Sequence, residues 1–373
     1  MTGESAVQEV TSRRDLREFT LLPERLYRGH PHWIPPLRAE VRRVLSDENP
    51  FFRHAERALF LARRRGEAVG RIAAFIDRLH LERHQDATGF FGFFECANRQ
   101  GEANGLLDRA ARWLRARGMG RIRGPVNPSM NEECGILVEG HDSPPTFMMP
   151  YTLPYYPALL EGAGFAKAMD LLSFRAPVSA EAPPRLARLE AVLSKRHPAL
   201  SIRPVELGRF DREVSLIRKV YNRAWEANWG FVPMTEEEIR WMARRLRPLI
   251  DPELTLFAEA EGEPVAFALA LPDYNQVLAR LGGRMGPLGL LKFLYYRRRV
   301  DGLRLLALGV VAPWRRRGVE VRLLLELWRA ARARGFRQAE ASWMLEDNAE
   351  VIRVAEGLGG ALVKRHRLYE RAC

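Results

Sequence analysis

"VVAPWRRRGVE", Val310–Glu320, sets the end of an apolar run, a proline and three consecutive arginines directly ahead of a glycine. The run Leu305–Val311 reads as a buried strand, Pro313 ends it, and Arg315–Gly318 form a turn that opens into a helix starting near Val319. A helix start presents unpaired backbone N–H groups, and arginines beside it add charge and forked donors. The order strand, basic turn, helix therefore suits a phosphate-rich ligand. The same residues also describe a basic turn that merely opens an ordinary helix, so the choice falls to the rest of the chain.

With 373 residues, 47% of them apolar, the chain can bury a sizeable core and is long enough for two domains. Its net charge is +13, and only five of its 59 basic residues are lysines. Such a surface draws phosphates, nucleic acid or anionic lipid heads without choosing among them. Cys96, Cys134 and Cys373 are scattered and odd in number, which fits neither a disulfide framework nor a zinc site. The expectation is a reducing cytoplasm and no metal. The N-terminus lacks the apolar segment of a signal peptide, and no run approaches the roughly 18 apolar residues of a membrane span. Membrane contact, if any, is then peripheral, at the inner face.

Three landmarks occur twice. The first is a strand-turn-strand, "LFLARRRGEAVGRIAAF" around Gly66 and "LTLFAEAEGEPVAFALAL" around Gly262. The second is a helix ending in "RARG". Ala103, Leu106, Leu107, Ala110 and Leu114 keep helical spacing before Gly118, as do Val321, Leu324, Leu325, Trp328 and Ala331 before Gly335, both glycines reading as C-terminal caps. The third is "EGAGF" around Gly164 against "EGLGG" around Gly359, each followed by a closing strand. Unequal spacing places an insertion near 127–155 in the first half and one near 273–301 in the second. The expected domains are 1–178 and 201–373, joined over 179–200, where Ala176–Pro184 is rich in Pro and Ala.

Strand, V-x-P, arginine-rich turn, helix, then a strand ending "SWMLEDN" before another helix resembles the core of the GNAT superfamily of acyl-CoA-dependent N-acyltransferases. The resemblance implies an α/β fold, a mixed sheet with flanking helices, here as two tandem GNAT-like domains. The whole-chain pattern is similar to a group of tandem proteins named only as N-acetyltransferase-like. The family's turn, R/Q-x-x-G-x-G/A, is represented by Arg315, Arg316, Arg317, Gly318, Val319 and Glu320, the last departing from Gly or Ala. By resemblance the turn holds the CoA pyrophosphate, Val310 and Val311 lie along the pantetheine, and Asn348 contacts the cofactor arm. The carboxylate of Glu320 is expected to turn away from the phosphates, toward an arginine. The first half has "CANRQGEANG" where the arginine-rich turn belongs, so it reads as a degenerate domain and one CoA is expected per chain. This division is similar to that of protein N-myristoyltransferases.

The implied reaction is transfer of an acetyl or longer acyl group from acyl-CoA to an amine acceptor in a ternary complex. The alternatives are a catalytically silent GNAT-fold binding protein and an aminoacyl-tRNA-dependent tandem transferase, though nucleic acid is not expected as a partner. Oligomeric state is not read from the sequence. Many relatives carry a tyrosine seven residues after the asparagine to protonate the thiolate, and that count reaches Ala355. Glu346, just beyond "ASWML", is the candidate general base, with Asp347 beside it. Asp273 is a further acceptor-side carboxylate. In "YNRAWEANWGFVP", Trp225 and Trp229 are spaced to share a helical face and read as core, or with Asn228 as the acceptor pocket. His141 and Asp142 read as a solvated loop pair. "MGPLGLLKFLYYRRR", Met285–Arg299, reads as a helix packed on the domain, or as a greasy lid that meets a long acyl chain or an anionic membrane.

Overall fold

The computed structural model describes residues 6–178 and 184–373. The first half forms strands β1 (Ala6–Glu9), β2 (Ala55–Arg64), β3 (Glu67–Asp77), β4 (Thr88–Cys96), β5 (Arg121–Gly124), β6 (Val126–Asn127), β7 (Glu133–Cys134), β8 (Ile136–Glu139) and β9 (Ala166–Pro177). Its helices are α1 (Arg13–Leu26), α2 (Arg38–Val44), α3 (Arg78–His84), α4 (Gln100–Arg115) and α5 (Tyr156–Gly162). The second half runs α6 (Pro184–Arg196), β10 (Leu200–Pro204), α7 (Phe210–Ala224), α8 (Glu236–Leu246), β11 (Thr255–Ala260), β12 (Glu263–Pro272), α9 (Asn275–Leu278), α10 (Pro287–Tyr296), β13 (Gly302–Val310), α11 (Val319–Ala333), β14 (Gln338–Leu345), α12 (Ala349–Gly357) and β15 (Ala361–Ala372).

The three landmarks recur with the same backbone chemistry. Gly66 and Gly262 take positive φ, 82° and 79°, at the tips of the β2–β3 and β11–β12 hairpins. After α4, Gly118 turns left-handed and Met119 N–H returns to Leu114 O at 3.1 Å; after α11, Gly335 does the same and Phe336 N–H returns to Ala331 O at 3.1 Å. The third pair closes α5 and α12 alike, with Phe165 N–H to Leu160 O and Gly360 N–H to Ala355 O, both 3.0 Å. These are glycine C-caps, written in the sequence because a side chain at φ near +80° is strained.

Compactness cuts the chain less simply than sequence order. One unit takes the chain up to Leu171 together with Val277–Tyr295 and Lys364–Cys373; the other takes Leu172–Gln276 and Tyr296–Val363. Most of β15, from Lys364 on, thus belongs to unit 1, β9 is divided between the units after Leu171, and Val277–Tyr295 of the second-half insertion belongs to unit 1. In unit 1 the strand order is β1-β2-β3-β4-β5-β15, with β8 also pairing β15. Phe60, Ile72 and Phe91 of its sheet pack on Leu106, Leu107 and Leu114 of α4. In unit 2 the order is β9-β14-β13-β12-β11-β10, and Ala266, Ala268 and Phe267 of β12 lie in one core with Leu323 and Leu327 of α11 and Val220 of α7. Of the expected linker, residues 179–183 lie outside the described residues, and Pro184–Arg196 is helix α6, whose Glu190 meets Arg329 of α11 at 2.5 Å.

α7 and α11 cover opposite faces of the unit 2 sheet, and α7 approaches closely because β13 carries no side chain at Gly309. A Cβ there would stand 2.2 Å from the Trp225 ring. Gly309→Ala is expected to lower stability by about 1–3 kcal/mol through this overlap, read as a fall in the urea midpoint at unchanged slope.

Candidate functional site

β13 and β14 run parallel but pair only over Gly302–Leu305 against Gln338–Ala341. One residue later β13 bulges: Leu305 opposes Ala270 and Ala307 opposes Leu269, leaving Leu306 unmatched. Past this point the two strands continue without pairing to Val310 and Leu345, so the edge of β13 over Leu306–Val310, roughly 16 Å, faces a gap. Leu305, Leu306, Ala307 and Leu308 are accordingly only half-buried in the middle of a sheet. An open strand edge offers N–H and C=O groups to an extended amide-bearing arm.

At the mouth of the gap stands the turn. Val311 is in the core, its N–H bonded to Val265 O at 3.0 Å. Arg316 and Gly318 take positive φ, 59° and 77°, and Gly318 fits because a Cβ would stand 2.4 Å from Leu193 of α6. Gly318 is the N-cap of α11 without a side-chain cap, and Val319, fully buried, anchors its first turn. The three arginines have different fates. Arg315, although exposed, donates to the carbonyls of Val310, at 3.2 Å, and Ala224, tying β13 to the end of α7. Arg316 is exposed and pairs with Glu350 in the first turn of α12 at 2.6 Å, while Arg317 lies over the Trp314 ring. All three residues are exposed; Arg315 is bound to backbone carbonyls as a brace, and Arg316 and Arg317 make no such bonds to the strand or to α7. Asn348 caps α12, accepting from Val351 N–H at 3.3 Å, so its side chain holds the helix start that faces the turn.

Glu320 does not reach an arginine. Its carboxylate, half-buried, accepts from its own backbone N–H and lies near Glu350; burial first, and then Glu350, hold it above the usual carboxylate range despite that hydrogen bond.

Where pairing stops, the two faces of the sheet differ. On the α7 face Arg304, fully buried, donates to Ser342 Oγ at 3.0 Å and to its carbonyl at 3.1 Å, and buried Glu340 pairs with Arg175 at 2.8 Å. The sequence reading missed these residues; the signal was a charge inside each of two apolar strands, "LRLL" and "QAEAS". On the α11 face an apolar cleft of about 80 Å³, partly open to solvent, begins at Leu305 and Ala341.

The remaining expected site residues fall elsewhere. Glu346 follows the end of β14 and lies five residues beyond Ala341, roughly 16 Å along the chain. That is the end of the gap where the turn stands. α7 ends at Ala224, so Trp225 and Trp229 do not share a helical face. Trp225 caps the helix, stacks on Tyr221 at 4.6 Å and fills the space beside Gly309, while Asn228 N–H returns to Trp225 O in a turn. Trp225 is core. Asp273 lies at the far end of β13, its N–H on Gly302 O and its carboxylate on Asn275 N–H. His141 is half-buried rather than solvated, and burial lowers its pKa. α10 has no buried residue; Leu288, Leu290, Leu291, Leu294 and Tyr295 are exposed, which overturns its reading as a packed helix.

Unit 1 contains the same arrangement, closed. β4 pairs in parallel with β5 over Thr88–Phe90 and then bulges at Phe93, whose φ is +48°. Here the chain fills its own gap: Asn127 Oδ1 accepts from Phe93 N–H at 2.7 Å, and β6 presses so close that a Cβ on Gly92 would stand 1.7 Å from Val126 O.

A parallel strand pair that opens at a bulge, followed by a glycine turn into a helix, is the arrangement of an acyl-CoA-dependent transferase. The family model of the acetyltransferase (GNAT) family matches residues 214–359. The chain belongs to this family and is an N-acyltransferase. It is 36% identical to the bacterial ceramide synthase of Caulobacter vibrioides, over 98% of this chain and 97% of that protein. It is 35% identical to protein YghO of Escherichia coli K12, over 98% and 95%. Among solved structures, a tandem GNAT protein from the clavulanic acid biosynthesis pathway superposes with a TM-score of 0.58 at 13% identity, over 99% of this chain and 98% of the other. The family uses acyl-CoA as co-substrate and an amine as acceptor. No helix among the described residues is long and apolar enough to cross a membrane.

Folding raises the Glu320 pKa, so the folded state binds its proton more readily than the unfolded chain does. The ionised carboxylate thus costs stability, a cost present at neutral pH and lost as pH falls below the ordinary glutamate value of about 4.3. Glu320→Gln is expected to be more stable than the parent at pH 7 and equal to it near pH 4, measured by urea unfolding across that range.

Proposed function

We propose that unit 2 holds one acyl-CoA per chain, with its pyrophosphate at Arg316–Val319 and its pantetheine along the open edge Leu306–Val310, and that it acylates the amine of a long-chain lipid base. The observation that carries this reading is the unpaired edge of β13 leading straight into an uncapped helix start. Backbone N–H groups, helix dipole and two exposed arginines all favour an anion at that point. The closed gap of unit 1 supports a single donor site. A lipid amine is supported by a relative named for ceramide synthesis, a ceramide being a long-chain amide of a lipid amine.

The acceptor amine approaches the apex from the polar face of Arg304, Ser342 and Glu340. Its nitrogen forms a bond to the thioester carbonyl carbon, the C–S bond breaks, and the electron pair leaves with sulfur. The nitrogen sheds one proton and the thiolate takes one up. A thiol with an ordinary pKa of about 8.5 is a fair leaving group, which agrees with alanine, not an acid, at position 355. Release of CoA thiol and the mass of the amide, measured with single-chain lipid bases and with small amines, test the assignment. Amide formation with the lipid bases is expected; transfer only to small amines would overturn the acceptor class. Arg316→Ala combined with Arg317→Ala should weaken CoA binding about tenfold or more, and unchanged affinity would remove the pyrophosphate from this turn.

A lipid acceptor has to be collected from a membrane, and α10 is built for that surface. Leu288 is 76% and Leu291 64% exposed. Between Asp273 and Asp301 the chain carries six basic residues, Arg280, Arg284, Lys292 and Arg297–Arg299, and no acidic one. Apolar side chains that enter the interface, flanked by arginines at headgroup level, match an anionic bilayer. The protein should sediment with phosphatidylglycerol vesicles and far less with phosphatidylcholine vesicles. Leu288→Asp with Leu291→Asp should release it, and equal sedimentation of parent and variant would exclude α10 as the contact.

A further inference from the structure

The apolar cleft of unit 2 lies on the α11 face of the sheet, immediately behind the point where β13 and β14 part. Leu305 and Ala341 form the last paired rung of the two strands, Leu303 and Ala339 lie two rungs before it on the same face, and all four line the cleft. Its walls come from Leu324 and Trp328 of α11 and from Ala355 of α12. Only the Trp328 indole brings a polar side-chain atom to the lining. Protein cores leave few voids larger than a water molecule, and an apolar space of this size offers a polar ligand nothing to bond. At about 80 Å³ it has room for roughly half a dozen water- or methylene-sized groups.

The space exists because small residues meet there. Ala270, Ala339 and Ala341 floor it from the sheet, and Ala331 and Ala355 face them from the helices. Ala355 matters most, since it stands seven residues after the cap Asn348, where the resemblance to other members of the family leads one to expect a tyrosine. A phenol at that position would project into the cleft. The alanine removes both the acid and the bulk.

We infer that this cleft receives the alkyl chain of the acyl donor and makes the protein selective for long-chain acyl thioesters. The inference rests on the placement of the thioester at the apex of the β13–β14 gap. A chain attached there continues into the cleft past Leu305 and Ala341 without crossing the polar face, which stays free for the amine. Each methylene taken from water is worth roughly fourfold in affinity, so a donor that reaches into the cleft outbinds an acetyl donor by orders of magnitude.

Non-transferable thioethers separate the two placements. The binding of S-methyl-, S-octyl- and S-hexadecyl-CoA to the full chain is measured by calorimetry. Affinity is expected to climb about a hundredfold or more from the first to the last, and Ala355→Phe is expected to compress that ratio at least tenfold. Equal affinity of the three thioethers, or a ratio unaltered in Ala355→Phe, overturns the cleft as the chain site. Failure of all three to bind instead overturns the donor placement itself. Should Ala355→Phe not fold, a diazirine at the end of the S-hexadecyl chain gives the answer on the parent protein. Crosslinks at Leu324–Trp328 or on α12 support the cleft, and crosslinks confined to α10 or to unit 1 reject it.

Discussion

Two parallel strands that stop pairing halfway along their length leave backbone N–H and C=O groups facing each other across a space, and such groups are costly to bury without partners. In unit 2 the bulge at Leu306 creates this situation at the centre of the sheet, where neither strand can retreat to an edge. Everything that distinguishes the site is arranged around the resulting gap. The turn and α11 stand at its mouth, the pair Arg316–Glu350 joins the starts of α11 and α12 there, and the buried charges of Arg304 and Glu340 sit at its apex. An extended ligand with amides of its own is the partner such an edge lacks. Unit 1 shows the other solution: the amide of Phe93 at the corresponding bulge is given to Asn127, a residue of the same unit. One side chain and two residues of strand β6 occupy the space that stays open beside β13 in unit 2.

The glycine landmarks were legible because they are local. A left-handed residue at a helix end or hairpin tip needs glycine whatever surrounds it, so Gly66, Gly118, Gly164 and their counterparts Gly262, Gly335 and Gly359 could be matched without a structure. The turn at Gly318 was legible for the same reason. What was not legible depended on contacts distant in sequence. Nothing near Arg315 tells that its guanidinium closes on Ala224 O, 91 positions away, while the two arginines beside it make no such bond. The spacing of Trp225 and Trp229 gave a helical face only on the assumption that α7 continued, whereas the helix ends at Ala224, before either tryptophan. Glu346 looked catalytic because it follows a strand end, yet whether a strand end is the apex or the mouth of a gap depends on where pairing with the neighbour begins. The division of the closing strands between the units lay beyond any periodicity, since a strand's pattern names its faces and not its partners.

The charge of the chain also divides by place. Many of the arginines are held in pairs within a unit, such as Arg63 with Asp15 and Glu18, Arg203 with Glu213 and Glu259, and Arg367 with Asp170. These braces neutralise local carboxylates and leave little field at a distance. The segment between Asp273 and Asp301 has no such carboxylates, and its basic side chains flank the most exposed leucines of the described chain. Composition alone reported one large positive number; its meaning differs between a brace, an exposed basic turn and a basic segment around an exposed apolar helix.

An apolar cleft and an apolar exposed helix each carry a cost when the protein is alone in water, the first as unfilled volume and the second as surface kept from no solvent. Both become favourable in contact with alkyl chains. The polar face at Arg304, Ser342 and Glu340 is where the chemistry itself needs water or charge, because an amine must shed a proton while a thiolate gains one. A sheet is well suited to keep these demands apart, for successive side chains of a strand point to opposite faces: Leu303 and Leu305 line the apolar cleft, and Arg304, between them, bonds to Ser342 on the other side.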